Sequence, residues 1–386
     1  MHLPEKRILF LLLLLAVLPV SRPLGEPSAY AASETLSVRE FERLILEFSE
    51  RSRYFNTNNL ISNETSYLHV IPLLEELGAR GQAYLGVGPD QNFTYIAHLQ
   101  PEIAFIVDVR RDNLLQHLYY KSLFMKAENR WEYLSYLFGK PLPEGFRPDE
   151  SARASDLVSQ FRRFSSDADY FQDNLAEFWE MIRRPAPNLI RKTDAQALKQ
   201  VATAFFEDNL SLKYRSHGRR PRPYYPSYEQ LITETDLKGR PANYLASERH
   251  FRFLKKMQEE NRIIPVVGDF GGDKALRLVG EFLKEREFKV SAFYLSNVEF
   301  YLYRSETFPR FIENVRSLPL DENSLLIRSY FSYWRPHPET VPGYFVTSLL
   351  QHAQRFLALV EEDPFINYWD MVSRYYIRNQ TPMESP

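Results

Sequence analysis

Cysteine is absent from all 386 residues. That excludes disulfides, metal–thiolate sites, thiol nucleophiles and a lipid-modified cysteine anchor. Long apolar runs are missing too: Ile8–Val20 extends over thirteen residues, where a membrane span needs about 20. Neither charge sign dominates, since the net charge is −2. Without a strong basic block, a nucleic-acid surface is not indicated. The short cluster Arg219, Arg220 and Arg222 lies in a Pro/Tyr-rich loop and reads as a solvated turn. The eight histidines show neither metal-ligand spacing nor a HExxH helix, so no metal is expected. No G-x-S-x-G elbow anchors a hydrolase triad.

What the chain does contain is a 44% hydrophobic and 15% aromatic composition, enough for a folded globule with a substantial core. Lys6 and Arg7 precede the apolar run, and Ala29-Tyr30-Ala31 offers a small-residue cleavage site. Residues 1–31 therefore read as a secretory signal. Cleavage would leave no stable membrane span and place the protein in the periplasm or outside the cell. If Met1 lies upstream of the true start, the chain stays in the cytoplasm.

From residue 32 onward, helical and strand patterns alternate. Phe41, Leu44, Ile45 and Phe48 mark an amphipathic helix. Ser62 reads as the N-cap of a second helix through Leu77, ended by Gly78. Strands are expected over 82–87, 103–109, 263–268, 290–295 and 324–330, separated by helices. That order implies an α/β fold, a Rossmann-like, mainly parallel sheet flanked by helices. Residues 127–240 interrupt it with aromatic-rich helical segments and Pro-rich breaks, forming a large helical insertion. The organisation is thus 1–31 signal, 32–126 first half of the core, 127–240 insertion, 241–333 second half, and 334–386 C-terminal helices. Helices are expected around Phe345–Val360 and Phe365–Tyr376.

Three turns at strand ends could carry chemistry. Gly86-Val87-Gly88-Pro89-Asp90 follows the first strand, and Asp108 ends the second, 20 residues after Gly88. At that distance a carboxylate leaving the second strand of a nucleotide-binding βαβ unit meets ribose hydroxyls. A pyrophosphate on this turn would meet the carboxylate of Asp90, and two anions repel. S-adenosylmethionine bears a sulfonium and an ammonium instead, so the turn favours that cofactor over NAD. The bland alternative has Asp90 complementing the helix dipole and Asp108 capping a turn. The second turn, Gly268-Asp269-Phe270-Gly271-Gly272, fails as a phosphate loop because Asp273 and Ala275 replace the required glycine and hydroxyl residue. Asp269 could accept from an adenine amino group, or could cap the next helix. In the third, Ser296-Asn297-Val298-Glu299, Asn297 could orient an acceptor and Glu299 act as general base, with Tyr294 and Tyr301 as walls. Alternatively, Glu299 only caps a helix.

The stretches SNETSYLHV (62–70), YLGVGPDQNFTYIA (84–97), FIVDVRRDN (105–113), NRIIPVVGDFGGDKAL (261–276), FYLSNVEFYL (293–302) and SLLIRSY (324–330) carry a resemblance. The chain resembles a little-characterised family of bacterial proteins with a class I S-adenosylmethionine methyltransferase-like core. By position, the resemblance implies that Gly86 and Gly88 underlie the methionine moiety and that Asp108 holds the ribose. It places Asp269 at the adenine and Asn297 on the acceptor side, with Asn63 and Glu64 closing over the amino-acid end. The chain departs from the superfamily in having Tyr84 and Leu85 where an acid is usual, and Asp90 where a third glycine is usual. The activity so implied is methyl transfer to a small or medium acceptor held by the insertion. The rival expectation is an exported, non-enzymatic ligand-binding protein that retains the fold. Oligomeric state is not readable from the sequence.

Overall fold

The computed structural model describes residues 35–333, 335–363 and 366–379; the expected signal at 1–31 lies outside them. These residues belong to one compact unit that begins at Thr35, so residues 127–240 pack into the same body as the sheet. Among the described residues, no helix is long and apolar enough to cross a membrane.

Six strands form one sheet: β1 (Ala83–Gly86), β2 (Ile103–Asp108), β3 (Ile263–Val267), β4 (Val290–Ser296), β5 (Leu325–Phe331) and β6 (Val346–His352). Their order across the sheet is β3-β2-β1-β4-β5-β6. The first five run parallel, and β6 pairs antiparallel with β5 from Leu325↔His352 to Phe331↔Val346. Apart from Ser296 and His352 at two strand ends, every strand residue is buried. β1, β2 and β3 are nearly continuous apolar runs, as a parallel sheet covered on both faces requires; β5 and β6 also bury polar residues, among them Arg328, Ser329, Thr347 and Ser348. The strand order reverses between β1 and β4, so the chain leaves their carboxyl ends in opposite directions and opens a crevice there.

Local chemistry explains the helices that flank it. Ser37 accepts from the Glu40 N–H and starts Val38–Phe48, whose Phe41, Leu44, Ile45 and Phe48 are buried at helical spacing. The helix expected from Ser62 to Leu77 is shorter, only Ile71–Glu76. Pro72 has no N–H to bond back toward Leu68, so it is tolerated only in a first turn. Residues 65–70 are turns instead, and Ser62 Oγ accepts from the Glu64 N–H at 3.1 Å in a local loop.

The 127–240 segment supplies the helices Arg130–Phe138, Ala154–Phe161, Ala168–Arg183, Asp194–Asp208 and Tyr228–Thr233. Three of them pack on Arg111–Lys126. Its aromatic residues are mostly core: Trp131, Tyr133, Phe138, Phe161, Phe178 and Phe205 are all buried.

The C-terminal region differs from expectation. Residues 346–352 form β6, and only Ala353–Glu362 continues as helix, followed by Tyr368–Ser373. Beyond it, the Ile377 N–H donates to the Leu350 carbonyl at 2.7 Å, so the tail covers part of the outer edge of β6.

Candidate functional site

A cavity of about 580 Å³ opens at the carboxyl ends of β1 to β4. Val87 and Gly88 supply its floor, Asp108 and Asp269 one side, and Ser296 and Asn297 the other. Two loops cover it. Residues 53–64 contribute Arg53, Asn63 and Glu64, and residues 214–225 of the insertion contribute Tyr214, Arg219, Arg222 and Tyr225. The basic cluster expected as a solvated turn is therefore split: Arg219 and Arg222 are exposed but line the cavity.

Six of the nine expected site residues meet here: Asn63, Glu64, Gly88, Asp108, Asp269 and Asn297. Gly86, Asp90 and Glu299 do not, and each has a physical reason.

Gly86 is packed rather than open. A Cβ there would overlap Asn92 Oδ1 and the Tyr84 ring. The bend itself is held by side chains that sequence reasoning missed. Asn92 Nδ2 donates to the carbonyls of Val87 (2.9 Å) and Pro89 (2.7 Å), while its Oδ1 accepts from the Tyr84 hydroxyl at 2.8 Å. His117 Nε2 donates to the Gly88 carbonyl at 2.9 Å, and burial pushes this imidazole down to about 4, so it stays neutral. Gly88 has φ +81°, a left-handed conformation that favours glycine.

Asp90 turns away from the cavity into a buried cluster of tyrosines. Its Oδ2 accepts from the hydroxyls of Tyr228 (2.7 Å) and Tyr244 (3.1 Å), two residues of the insertion and its return. Burial raises this carboxyl to about 6, against the lowering effect of the two phenols. Its expected place beside a cofactor is thus corrected: Asp90 ties the bend to the helical insertion.

Glu299 is turned inward from the first turn of Val298–Arg304. It forms a two-pronged ion pair with Arg328 of β5, at 2.5 and 3.0 Å, and both side chains are almost fully buried. A carboxylate held this way cannot serve as the acceptor's base. Arg328, a charge inside a buried strand, was the visible sign that some acid had to face it.

The remaining carboxylates of the rim are also engaged. Asp108 accepts from the Arg110 N–H and side chain at 2.8–3.0 Å, and Arg110 Nη1 reaches the Asn58 carbonyl, fastening the covering loop. Asp269 Oδ2 pairs with Arg53 at 2.6 Å, and Oδ1 accepts from the Gly271 N–H. Asp269 does not cap the following helix; Glu50 does, taking the N–H groups of Lys274 and Ala275. The protein's own carboxylate thus occupies the position a phosphate would need.

Glu64 has no cation beside it. It accepts from the hydroxyls of Tyr294 (2.7 Å), Ser329 (2.5 Å) and Ser296. Burial raises its carboxyl pKa, and these three hydroxyls oppose the rise. Tyr294, expected as a wall, instead links Glu64 to Gln91 Nε2 at 3.1 Å. Gln91 Oε1 is buried without a partner, although its residue lines the cavity beside Gly88. Ser296 sits at φ +51°, where the β4–β5 register shifts, and this bend brings Asn297 over the rim.

Among the described residues, no group of three histidines and acids could hold a metal ion. Asn92-Phe93-Thr94 has the spelling of a glycosylation sequon, but Asn92 is fully buried in the fold.

Over residues 59–381 the sequence matches the family described as "Domain of unknown function (DUF7790)". The chain belongs to the DUF7790 family. That match spans all six strands, both covering loops except residues 53–58, and the whole insertion. In DUF7790 terms, then, the cavity is built almost entirely from family sequence. No curated protein matches the chain.

Proposed function

We propose that this DUF7790 protein has a class I methyltransferase-like, Rossmann-type core whose rim cavity binds S-adenosylmethionine and presents it to a small acceptor. The observation that carries this reading is the coincidence of three things at the β1/β4 reversal: a left-handed glycine, a carboxylate ending β2, and a cavity of about 580 Å³. The residues fit such a ligand. Gly88 leaves the floor bare, and an added Cβ would press on Gln91 and Asn59 at 3.3–3.4 Å. The unpartnered Gln91 Oε1 is an acceptor waiting for an N–H or O–H donor. Asp108 Oδ2 accepts one bond from Arg110 and keeps a lone pair for a ribose hydroxyl. Asp269 keeps similar capacity at the adenine end.

When bound, S-adenosylmethionine supplies an electrophilic methyl group for in-line transfer. The chain's own residues would then work by position. Gly88, Gln91 and Asp108 hold and orient, Asn63 and Glu64 close the amino-acid end, and Asn297 faces the acceptor. Asp108 and Asp269 are each held by an arginine and Glu64 by three hydroxyls, so an acceptor that arrives already nucleophilic fits this rim best. Calorimetric titration of the purified chain with S-adenosylmethionine tests the reading. Binding that is lost on Asp108→Ala is expected; no heat at millimolar ligand ends the proposal.

The same engagement of the rim carboxylates favours a second reading, an exported binding protein without catalysis. Fractionation of cells separates the two. Recovery of a chain cleaved after Ala31 outside the cytoplasm favours binding, because S-adenosylmethionine is made inside. An intact cytoplasmic chain favours the enzyme.

A further inference from the structure

Beside the main cavity lies a smaller chamber of about 230 Å³, which shares Asn297 and Tyr333 with it. Its walls are rings. Phe300 meets Tyr368 edge-on at 5.5 Å between centroids, Tyr330 meets Trp369 edge-on at 5.4 Å, and Tyr330 stacks on Tyr368 at 6.3 Å. The guanidinium of Arg335 lies 4.2 Å from the centroid of Trp369, and among the described residues it makes no ion pair. No acid lines the chamber. Of the two acids that adjoin its walls in sequence, Glu299 is consumed by Arg328 behind the wall, and Asp370 accepts from Asn367 Nδ2 at 2.6 Å in the cap of its own helix.

Aromatic walls alone would suit either a cation or a flat apolar body. Arg335 decides between them. Its charge already occupies one face of Trp369, and a second cation would be repelled with no carboxylate to offset it. A guanidinium at the mouth of an apolar slot instead matches a carboxylate, which it can grip with two parallel N–H donors. Volume sets the size. An aliphatic cavity of about 150 Å³ accepts benzene, so 230 Å³ has room for one ring with a small substituent.

We propose that this chamber binds a single-ring aromatic carboxylate, with its ring packed against the wall that Tyr330, Tyr368 and Trp369 form and its carboxylate on Arg335. Its role as methyl acceptor rests on the reading of the larger cavity; its binding does not. A carboxylate is ionised at neutral pH, so as acceptor it would form an O–CH3 bond as the sulfonium S–CH3 bond breaks, giving a methyl ester and S-adenosylhomocysteine with no proton to remove. The assignment also moves the acceptor from the insertion to the segment that follows β5.

The test is calorimetry on the full chain with 4-hydroxybenzoate as probe, benzyltrimethylammonium as the cationic counterpart, and S-adenosylmethionine titrated into the same preparations. The acid is expected to bind, the cation not to, and Arg335→Gln to weaken the acid by about tenfold or more. Because Arg335 is exposed, that variant keeps its unfolding midpoint and its S-adenosylmethionine affinity. Acid binding that is absent at millimolar concentration, unchanged in Arg335→Gln, or weaker than that of the cation overturns the assignment. Binding of the acid without S-adenosylmethionine sinks only the cofactor reading; the reverse result sinks only the chamber.

Discussion

Replacing Asp90 by asparagine should stabilise the protein at neutral pH. Asp90 is 4% exposed and its carboxyl is raised from 3.8 to about 6 by burial. Because the folded-state value lies above the unfolded one, the protonated form favours folding. That contribution is complete below pH 3.8 and is lost as pH rises through about 6. Each unit of difference is worth about 1.4 kcal/mol, so the ionised side chain costs up to about 3 kcal/mol at pH 7.5. Asparagine keeps an oxygen for Tyr228 and Tyr244 and never ionises. The expected gain is about 1–3 kcal/mol at pH 7.5, shrinking to about 1 kcal/mol or less at pH 4.5, where the unfolded carboxyl is only partly ionised. Urea denaturation of both proteins at the two pH values measures it. A variant less stable than the parent at pH 7.5, or a difference that ignores pH, refutes the reasoning.

Glu299→Gln should cost about 3–5 kcal/mol by stranding the buried charge of Arg328, yet leave ligand affinity unchanged. Combining Glu299→Leu with Arg328→Met should restore most of that stability in thermal melts. Gly88→Ala places a Cβ at φ +81°, so a loss of about 1–2 kcal/mol is expected, with S-adenosylmethionine affinity falling in parallel; unaltered affinity would remove Gly88 from the floor of the site. Asp108→Asn should weaken the same ligand by about tenfold or more and lower the melting temperature, because Arg110 then loses its anionic partner.

β1 to β4 were readable because each is a short, mostly apolar run closed by glycine, asparagine or an acid, and β5 by its Leu325-Leu326-Ile327 run. Both faces of the sheet are covered, so no polar alternation blurred them. β6 was not readable. Val346, Leu349, Leu350, Phe356 and Leu359 also satisfy a helical period, and no glycine or proline marks the change at His352–Ala353. The site divides along a similar line. Residues that line the cavity because they stand at a strand end, such as Gly88, Asp108, Asp269 and Asn297, had a location that position alone indicated. Direction was not: Asp90 and Glu299 stand beside the rim in sequence but point at partners more than a hundred and nearly thirty residues away, respectively. Arg53, Asn92, His117 and Glu50 were missed for the same reason, since each acts through a contact that spacing does not encode. The aromatic chamber had no signal beyond composition, as its walls come from three separate segments.

The bridge from Ile377 to Leu350 makes the last stretch of chain a guard as well as a tail. An outermost strand with bare N–H and C=O groups is a template for another molecule's backbone. Β6 combines Val346, Thr347, Leu349 and Leu350 within seven residues, a composition prone to such pairing. Shortening the chain to end at Tyr375 should therefore raise its self-association relative to the full chain, more so at higher concentration, as light scattering would register, while its far-ultraviolet dichroism barely changes.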